Sequence, residues 1–238
     1  MHFHIVALFP ESFESYLDAS IIKRARKNSH ISIKYYNPRD FVVPKKSSKQ
    51  LTYADRRVDD RPYGGGPGMV IEALPVARAI EKAIEGIKKR KAKNKRSQIR
   101  PKIKIIFFSP AGEQFTNKAA DAWKKYSDII LVCGRYEGID ARVNKMFKMA
   151  EVSVGPYTLT GGELPAMIVI DAVARRIEGV LGDDMSVEER RVAGHEVYTR
   201  PEEVKFKGKR YRVPKILISG HHAKINDWKM KFTEIRHR

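Results

Sequence analysis

Short runs of consecutive apolar residues alternate with segments of helical periodicity along much of this 238-residue chain. The runs at 3–8, 103–108 and 129–133 contain few polar residues, and apolar residues recur at spacings of three and four in the segments around them. A strand that is apolar on both faces must be covered on both faces, as in a parallel sheet flanked by helices. The pattern therefore predicts an α/β fold built on a parallel sheet.

The same periodicity predicts where the elements lie. Strands are expected at 3–8, 31–36, 103–108, 129–133 and 151–154, and helices at 12–27, 72–89, 116–126, 141–149 and 166–177. Helix 12–27 would place Phe13, Leu17 and Ile21 on one face. Helix 166–177 would start just after Pro165, because proline suits the start of a helix. The lysine-rich stretch 88–102 is expected to be a solvated loop.

The composition changes after Gly179. Residues 182–194 are charged and poor in apolar side chains, which is typical of a linker. Beyond them, the alternation at 204–213 around Gly208 predicts a hairpin, and 226–237 predicts an amphipathic helix. We therefore expect an α/β domain at 1–181, a linker at 182–190 and a small, mainly helical C-terminal domain at 191–238.

The charge of the chain indicates a polyanionic partner. Lys and Arg number 47 against 28 Asp and Glu, which gives a net charge of +19. A solubilising surface or attraction to a membrane surface are the alternatives, but the basic residues occur in several separated stretches rather than on one lipid-binding helix. The distribution favours nucleic acid.

The single cysteine and the N-terminal sequence indicate the compartment. Cys133 has no partner for an internal disulfide and no metal-ligand companions at short spacing, so no structural zinc site is expected. The apolar stretch 3–9 contains His4, runs into Pro10 and has neither the basic start nor the length of a signal peptide. The sequence predicts a cytoplasmic protein without membrane-spanning segments.

Three glycine-rich clusters, at 63–68, 133–138 and 159–165, are candidates for ligand loops. Glycine permits close backbone approach or an unusual turn, and a lone cluster is more often only a turn. None of the three matches the dinucleotide-binding or NTPase phosphate-loop spacing. Two follow predicted strands in the α/β region, where open sheets bind ligands.

Six stretches of this chain also resemble one known family. They are VDDRPYGGGPGMV (58–70), SPAGEQFT (109–116), LVCGRYEGIDARV (131–143), SVGPYTLTGGELPAMIVIDAVAR (153–175), YTRP (198–201) and ISGHH (218–222). In sequence and in order they are similar to bacterial tRNA (guanine-N1)-methyltransferase, the TrmD family. The resemblance covers nearly the whole chain.

The resemblance implies a SPOUT-class α/β domain with a deep C-terminal trefoil knot. It also implies a homodimer with each active site between two subunits, and transfer of a methyl group from S-adenosylmethionine to the guanosine immediately 3′ of the tRNA anticodon. The implied cofactor-binding residues are Phe107, Phe108, Ser109, Pro110, Gly134, Tyr136, Glu137, Gly138, Ser153, Val154, Gly155, Pro156, Tyr157, Thr158, Leu159, Gly161, Gly162 and Pro165.

Methylation of guanine N1 needs two further groups. The nitrogen must lose a proton, and the negative charge then moves to O6, so a general base and a nearby cation are required. The resemblance assigns the cation to Arg175 and a carboxylate beside the target base to Glu137. The alternatives are a helix-end cation for Arg175 and a loop-stabilising hydrogen bond for Glu137.

The chain departs from the family at the general base. The family aspartate falls at Arg190, which cannot accept a proton. Glu189 is closest in register, and Glu188, Asp183 and Asp184 are the other nearby carboxylates. The departure leaves open a noncatalytic RNA-binding SPOUT protein, and a SPOUT methyltransferase acting on ribosomal RNA is a second alternative.

The predicted hairpin is a candidate RNA contact. Its cations are Lys205, Lys207, Lys209, Arg210 and Arg212. They can contact phosphate or form a solvated edge strand.

Overall fold

A five-stranded parallel sheet forms the centre of the first part of the chain. In the part of the chain that the computed structural model describes, the strands are β1 His2–Val6, β2 Ser32–Tyr36, β3 Asp59–Asp60, β4 Val70–Ile71, β5 Ile103–Gln114, β6 Asp128–Val132, β7 Ala150–Ser153, β8 Glu203–Phe206 and β9 Lys209–Arg212. The main sheet has the order β2-β1-β6-β5-β7, and every neighbouring pair is parallel. The predicted parallel sheet is confirmed.

The structure describes residues 1–43, 54–93, 101–181 and 196–231. Its helices are α1 Glu14–Leu17, α2 Ser20–Lys27, α3 Ala73–Lys93, α4 Asn117–Trp123, α5 Arg142–Phe147, α6 Glu163–Ala174 and α7 His222–Lys231. The chain divides into two compact units, residues 1–181 and 182–238. Within the described ranges, no helix is long and apolar enough to cross a membrane.

Both faces of the sheet are covered by helices, as the apolar strands require. In β6, Ile129 and Leu131 belong to the core on the side of α1, α2, α4 and α6. Ile130 and Val132 belong to the opposite core, which α3 and α5 cover. Successive residues of a strand point to opposite faces. Because helices cover both faces here, all four side chains are fully buried.

The predicted helix 12–27 is wrong as one element. A 3-10 turn at Pro10–Phe13 leads into α1, and the chain is then extended at Ala19 before α2 starts. Phe13 and Leu17 are buried, but in α2 it is Ile22 that is buried while Ile21 is exposed. The break shifts the helical phase by one residue, so that the face of α2 with Ile22 meets the core.

Two further helix boundaries differ from the expectation. Helix α3 continues to Lys93, so the first part of the stretch 88–102 is helical rather than a loop, and residues 94–100 lie outside the described ranges. Helix α6 starts at Glu163, three residues earlier than predicted, and its C-cap is Arg175. Pro165 lies inside the first turn, where the missing N–H costs no hydrogen bond because the first four N–H groups of a helix lack intrahelical partners.

Strand β5 is interrupted beside β7. Val152 pairs with both Phe108 and Glu113, so the four residues between them leave the ladder. A Cβ atom on Gly112 would collide with the backbone of Val152. The strand is therefore longer than the predicted 103–108 and contains a loop that only glycine lets pass so close to β7. The trefoil knot stays a prediction.

A buried polar cluster joins α3 to the sheet. The Asp128 carboxylate accepts hydrogen bonds from Arg90 Nη2 at 2.7 Å and Ser127 Oγ at 2.8 Å, and it lies 2.9 Å from His4 Nε2. Burial by itself raises the pKa of Asp128, but the hydrogen bonds from His4, Arg90 and Ser127 outweigh it and hold that pKa at about 2. The carboxylate is thus charged in the folded protein at neutral pH.

The second unit contains the predicted hairpin. Strands β8 and β9 pair antiparallel, with Lys207 and Gly208 at the turn in positive-φ conformations. Helix α7 begins at His222, four residues before the expected start, and the expected helix 226–237 extends past the described residues.

Candidate active site

Three segments meet where β5 is interrupted and where β6 and β7 end. They are residues 107–110 of the interrupted strand, 133–139 after β6 and 152–162 before α6, and they enclose a cavity of about 360 Å³. Its lining residues are Phe107, Phe108, Ser109, Pro110, Gly134, Arg135, Tyr136, Glu137, Gly138, Ile139, Val152, Ser153, Val154, Tyr157, Thr158, Leu159, Thr160, Gly161, Gly162 and Pro165. The location agrees with the rule that open α/β sheets bind ligands beyond their carboxyl ends.

The two glycine loops are in backbone contact. Gly162 N donates to Gly134 O at 2.9 Å, and Arg135 and Gly161 form an isolated antiparallel bridge. A Cβ atom on Gly162 would lie 2.6 Å from Cys133 Cα, and one on Gly134 would lie 3.3 Å from the Phe107 ring. The glycines therefore let the two loops and Phe107 pack closer together than larger residues would allow.

A third segment supports the loop that carries Glu137. Glu137 N donates to Met69 O at 3.0 Å, and Ile71 N donates to Gly138 O at 2.9 Å. A side chain on Gly68 would collide with that of Glu137, which is exposed at the cavity. The glycine-rich cluster at 63–68 thus approaches the predicted active-site carboxylate without lining the cavity itself.

An ion pair ties the loop after β6 to the first turn of α6. Arg135 Nε donates to Glu163 Oε1 at 3.0 Å, and Glu163 is buried. The Arg135 guanidinium carbon also lies 4.9 Å from the centre of the Phe9 ring. Burial, with a smaller contribution from Glu163, raises the pKa of the Cys133 thiol, so this cysteine stays protonated and is not a nucleophile.

All the predicted cofactor residues except Gly155 and Pro156 line the cavity. These two form the turn behind its wall, where Ser153 Oγ donates to Gly155 O at 2.9 Å and Tyr157 packs against Gly155. Four further lining residues were not among those predicted from the sequence: Arg135, Ile139, Val152 and Thr160. Each lies inside or beside a motif stretch, so the motif boundaries were the available signal.

Arg175 is not at the cavity. It caps the C-terminus of α6, whose N-terminal turn lines the cavity, and twelve helical residues span about 18 Å. Arg175 shares a helix face with Leu164, Ile168 and Asp171, and Leu164 and Ile168 are 54% and 43% exposed. Tyr16 lies beside this face; burial and its hydrogen bond to Asp171 raise the pKa of Tyr16.

The candidate general bases other than Glu137 lie outside the described residues. These are Glu189, Glu188, Asp183 and Asp184, together with Arg190 at the position of the family aspartate.

Comparisons with known proteins indicate one family. The sequence model of the family described as tRNA (Guanine-1)-methyltransferase TrmD matches residues 1–238. A protein of Geobacter sulfurreducens named tRNA (guanine-N(1)-)-methyltransferase is 42% identical over 233 residues, which is 96% of this chain and 84% of the relative. A protein of the same name from Dictyoglomus turgidum is 40% identical over 231 residues, 95% of this chain and 82% of the relative.

A solved structure is also similar. The crystal structure of tRNA (m1G37) methyltransferase from Aquifex aeolicus superposes with a TM-score of 0.72 and is 32% identical in sequence. The match covers 99% of this chain and 91% of the Aquifex chain. At this identity and coverage, the fold of the whole chain is shared.

Proposed function

The chain belongs to the tRNA (guanine-1)-methyltransferase TrmD family, and from this premise we propose that it transfers a methyl group from S-adenosylmethionine to N1 of a guanine in tRNA. The observation that carries the proposal is the cavity where β5 is interrupted and β6 and β7 end, which is lined by all the residues that the resemblance assigned to the cofactor except Gly155 and Pro156. The Aquifex relative is named for position 37, and we propose the same target here, the guanosine 3′ of the anticodon.

The residues present fit S-adenosylmethionine. A cavity of about 360 Å³ is within the usual range for small-molecule sites. Gly134, Gly161 and Gly162 allow the two loops to pack in backbone contact, so backbone groups of the cavity wall can meet an adenine edge directly. Tyr157 and Leu159 offer apolar wall beside them. No phosphate loop is needed, because the cofactor carries a sulfonium cation and no phosphate.

The chemistry of the step divides between two groups of residues. When bound, S-adenosylmethionine would supply an electrophilic methyl group to guanine N1 and would leave as the neutral thioether. Guanine N1 loses its proton to a carboxylate, for which we propose Glu189. The Arg175 guanidinium stabilises the charge on O6, and Glu137 accepts hydrogen bonds from the guanine N–H groups. Alignment of the guanine nitrogen with the methyl group supplies much of the rate enhancement that these side chains do not provide.

We propose that each site is completed by a second copy of the chain. An arginine side chain cannot bridge the roughly 18 Å between the two ends of α6, so Arg175 cannot serve the cavity that its own helix lines. Helix α6 exposes Leu164 and Ile168 on the face that carries Arg175. Pairing of this face with its copy in an isologous dimer buries the apolar side chains and brings Arg175 toward the partner's cavity.

We also propose the RNA partner, the domain organisation and the location of the protein. The net charge of +19 suits tRNA. Residues 1–181 form the proposed cofactor domain with the trefoil knot, 182–190 the linker and 191–238 the proposed tRNA-binding domain. We place the protein in the cytoplasm, the compartment that the lone cysteine and the N-terminal sequence indicated.

Methyl transfer to defined tRNA tests the function. Full-length protein is incubated with labelled S-adenosylmethionine and unmodified tRNA, and with a matched tRNA in which the target guanine is adenine. We expect N1-methylguanine in the first tRNA after nuclease digestion and mass spectrometry, and no incorporation in the second. Binding of both ligands without transfer would indicate the noncatalytic RNA-binding alternative, and transfer to ribosomal RNA alone would indicate the other.

A further inference from the structure

The hairpin of the second unit exposes an aromatic face. Residues paired across an antiparallel ladder point to the same side, so the pairs Val204–Tyr211 and Phe206–Lys209 share one face. Phe206, Tyr211 and Val204 are 62%, 55% and 49% exposed. Phe206 and Tyr211 are diagonal neighbours, about 7–8 Å apart in such a ladder. The two rings therefore lie on the same exposed face of the hairpin.

Cations surround this aromatic surface. The Lys207 ammonium lies 5.5 Å from the centre of the Phe206 ring, and Lys209 points to the same side as the rings. On the opposite face, Glu203 is paired with Arg212 at 2.5 Å and with Arg210 at 3.7 Å. Glu203 holds the two arginines in place. Because Lys205 lies on the same face, three cations accompany one carboxylate, and the net charge of this face is positive.

Such a hairpin is poorly stabilised by itself. A two-stranded hairpin is at best marginally stable in water and needs a partner for its apolar face. In the described part of the second unit, α7 packs against the 3-10 helix Lys215–Ile218, and the hairpin residues 204–212 are exposed on both faces. Within the described residues of the second unit, the aromatic surface is thus uncovered.

The charges identify the chemistry of that partner. The cores of protein–protein interfaces are depleted of lysine, whereas Lys207 and Lys209 lie directly beside the rings. Aromatic side chains interleaved with cations are typical of surfaces that bind single-stranded nucleic acid, where bases stack on the rings and phosphates contact the cations. In a paired RNA helix the bases are stacked on one another and the major groove is too narrow for side chains. The partner is therefore an unpaired segment.

We propose that Phe206 and Tyr211 form a stacking platform for unpaired bases of the tRNA, with Lys207 and Lys209 holding the adjacent phosphates. Lys205, Arg210 and Arg212 on the opposite face add long-range attraction for the polyanion. The proposal rests on the proposed function, because it takes tRNA as the RNA partner. It assigns the hairpin a preference for unpaired segments, which contact between cations and phosphates alone does not give.

Binding of the full-length chain to two RNAs tests the platform. The probes are an unmodified tRNA and a fully paired RNA duplex of similar length, each titrated at several salt concentrations. Phe206→Leu with Tyr211→Leu keeps the apolar cross-strand packing but removes both rings. We expect this variant to bind tRNA about tenfold or more weakly, with the same slope of log affinity against log salt, and to bind the duplex as wild type does.

Two matched variants separate stacking from charge and from folding. Phe206→Trp with Tyr211→Trp keeps the stacking surface and is expected to retain tRNA affinity. Lys205→Gln with Arg210→Gln removes charge, so it weakens binding of both RNAs and makes the salt slope shallower by about one to two units. Circular dichroism of each variant checks that the fold is kept.

Three results would overturn the platform: wild-type tRNA affinity in the leucine variant, an equal loss of affinity for the duplex, or an altered oligomeric state in sedimentation, which would make the face a contact between copies.

Methyl transfer by the wild-type protein is measured separately. If wild type fails to methylate tRNA while the leucine variant selectively loses tRNA binding, the proposed function is wrong and the platform stands. If wild type methylates tRNA but the leucine variant binds it normally, only the platform is wrong.

Discussion

At the scale of single residues, Asp128 shows how hydrogen bonds outweigh burial. Its pKa of about 2 lies below the ordinary value of 3.8 because His4, Arg90 and Ser127 bond to the carboxylate. A group whose pKa is lowered by folding stabilises the protein above its unfolded pKa, and this contribution disappears as the pH falls through the folded pKa. The stabilisation by Asp128 is therefore complete above about pH 4 and is lost between about pH 4 and pH 2.

Asp128→Asn is expected to lower the free energy of unfolding by about 2 kcal/mol at pH 7. The deficit relative to wild type should shrink as the pH falls from about 4 to about 2, because wild type then loses the same charge. Urea unfolding of both proteins at pH 7 and pH 3 measures it. Glu85→Gln is the control, since the exposed Lys82–Glu85 pair contributes little. A deficit that does not change with pH would refute the assignment.

The general base is the second prediction at this scale. Glu189→Gln is expected to reduce single-turnover methylation by about two orders of magnitude, the usual scale for loss of a general base, while both ligands still bind. Glu188→Gln, the adjacent carboxylate, should have a much smaller effect. If both variants keep the wild-type rate, the proton leaves by Asp183, Asp184, Glu137 or water.

At the scale of elements, the junction between the loop after β6 and the start of α6 decides whether the cavity exists. Gly162→Ala places a Cβ atom 2.6 Å from Cys133 Cα and 3.0 Å from Gly134 N. These contacts are with backbone atoms, which cannot move aside as the end of a flexible side chain can. We therefore expect the substitution to lower the free energy of unfolding by about 1–3 kcal/mol through strain. Strain at the cavity should weaken S-adenosylmethionine binding about tenfold or more, as measured by calorimetry.

Gly86→Ala in α3 is the matched control for this substitution. Its Cβ atom would lie 3.5 Å from the Tyr36 hydroxyl, an ordinary contact. Alanine in a helix interior is favoured over glycine by about 0.5–1 kcal/mol, so the melting temperature should rise slightly without a change in cofactor affinity. Equal cofactor affinity in the two alanine variants would contradict the role given to Gly162.

At the scale of the whole molecule, the separation of Arg175 from the cavity predicts that activity needs two chains. At an S-adenosylmethionine concentration far below the dissociation constant of the Gly162→Ala site, Arg175→Gln and Gly162→Ala are each expected to give a homodimer with little activity. A mixed dimer regains one intact site, with the glycine loops of the first variant and Arg175 of the second. Equal mixing, with exchange of subunits, should therefore recover about a quarter of the wild-type methylation rate.

The control mixture combines Arg175→Gln with Glu189→Gln. If the linker serves the same site as Arg175, neither site of that mixed dimer is complete, and no activity should return. Failure of the first mixture to recover activity, with subunit exchange verified by sedimentation of tagged chains, would show that each chain carries a complete site.

Much of the architecture was predictable from local patterns. The parallel sheet followed from strands such as 129–133, whose neighbouring residues are all apolar because both faces are buried. The lining of the cavity followed from the glycine-rich motifs. Helix 12–27 was mispredicted because an apolar residue recurs at Ile21 and at Ile22, and only packing against the sheet determines which of them is buried.

The sequence by itself therefore determined the α/β class, the family with its tRNA guanine-N1 methylation, and most of the residues around the cavity. Only the tertiary structure decided that Arg135 pairs with the buried Glu163 and that three separate segments of the chain enclose one cavity. The reason is physical. Periodicity records which side of each element is buried, whereas distances between elements depend on strand order and long-range packing, which no local pattern contains.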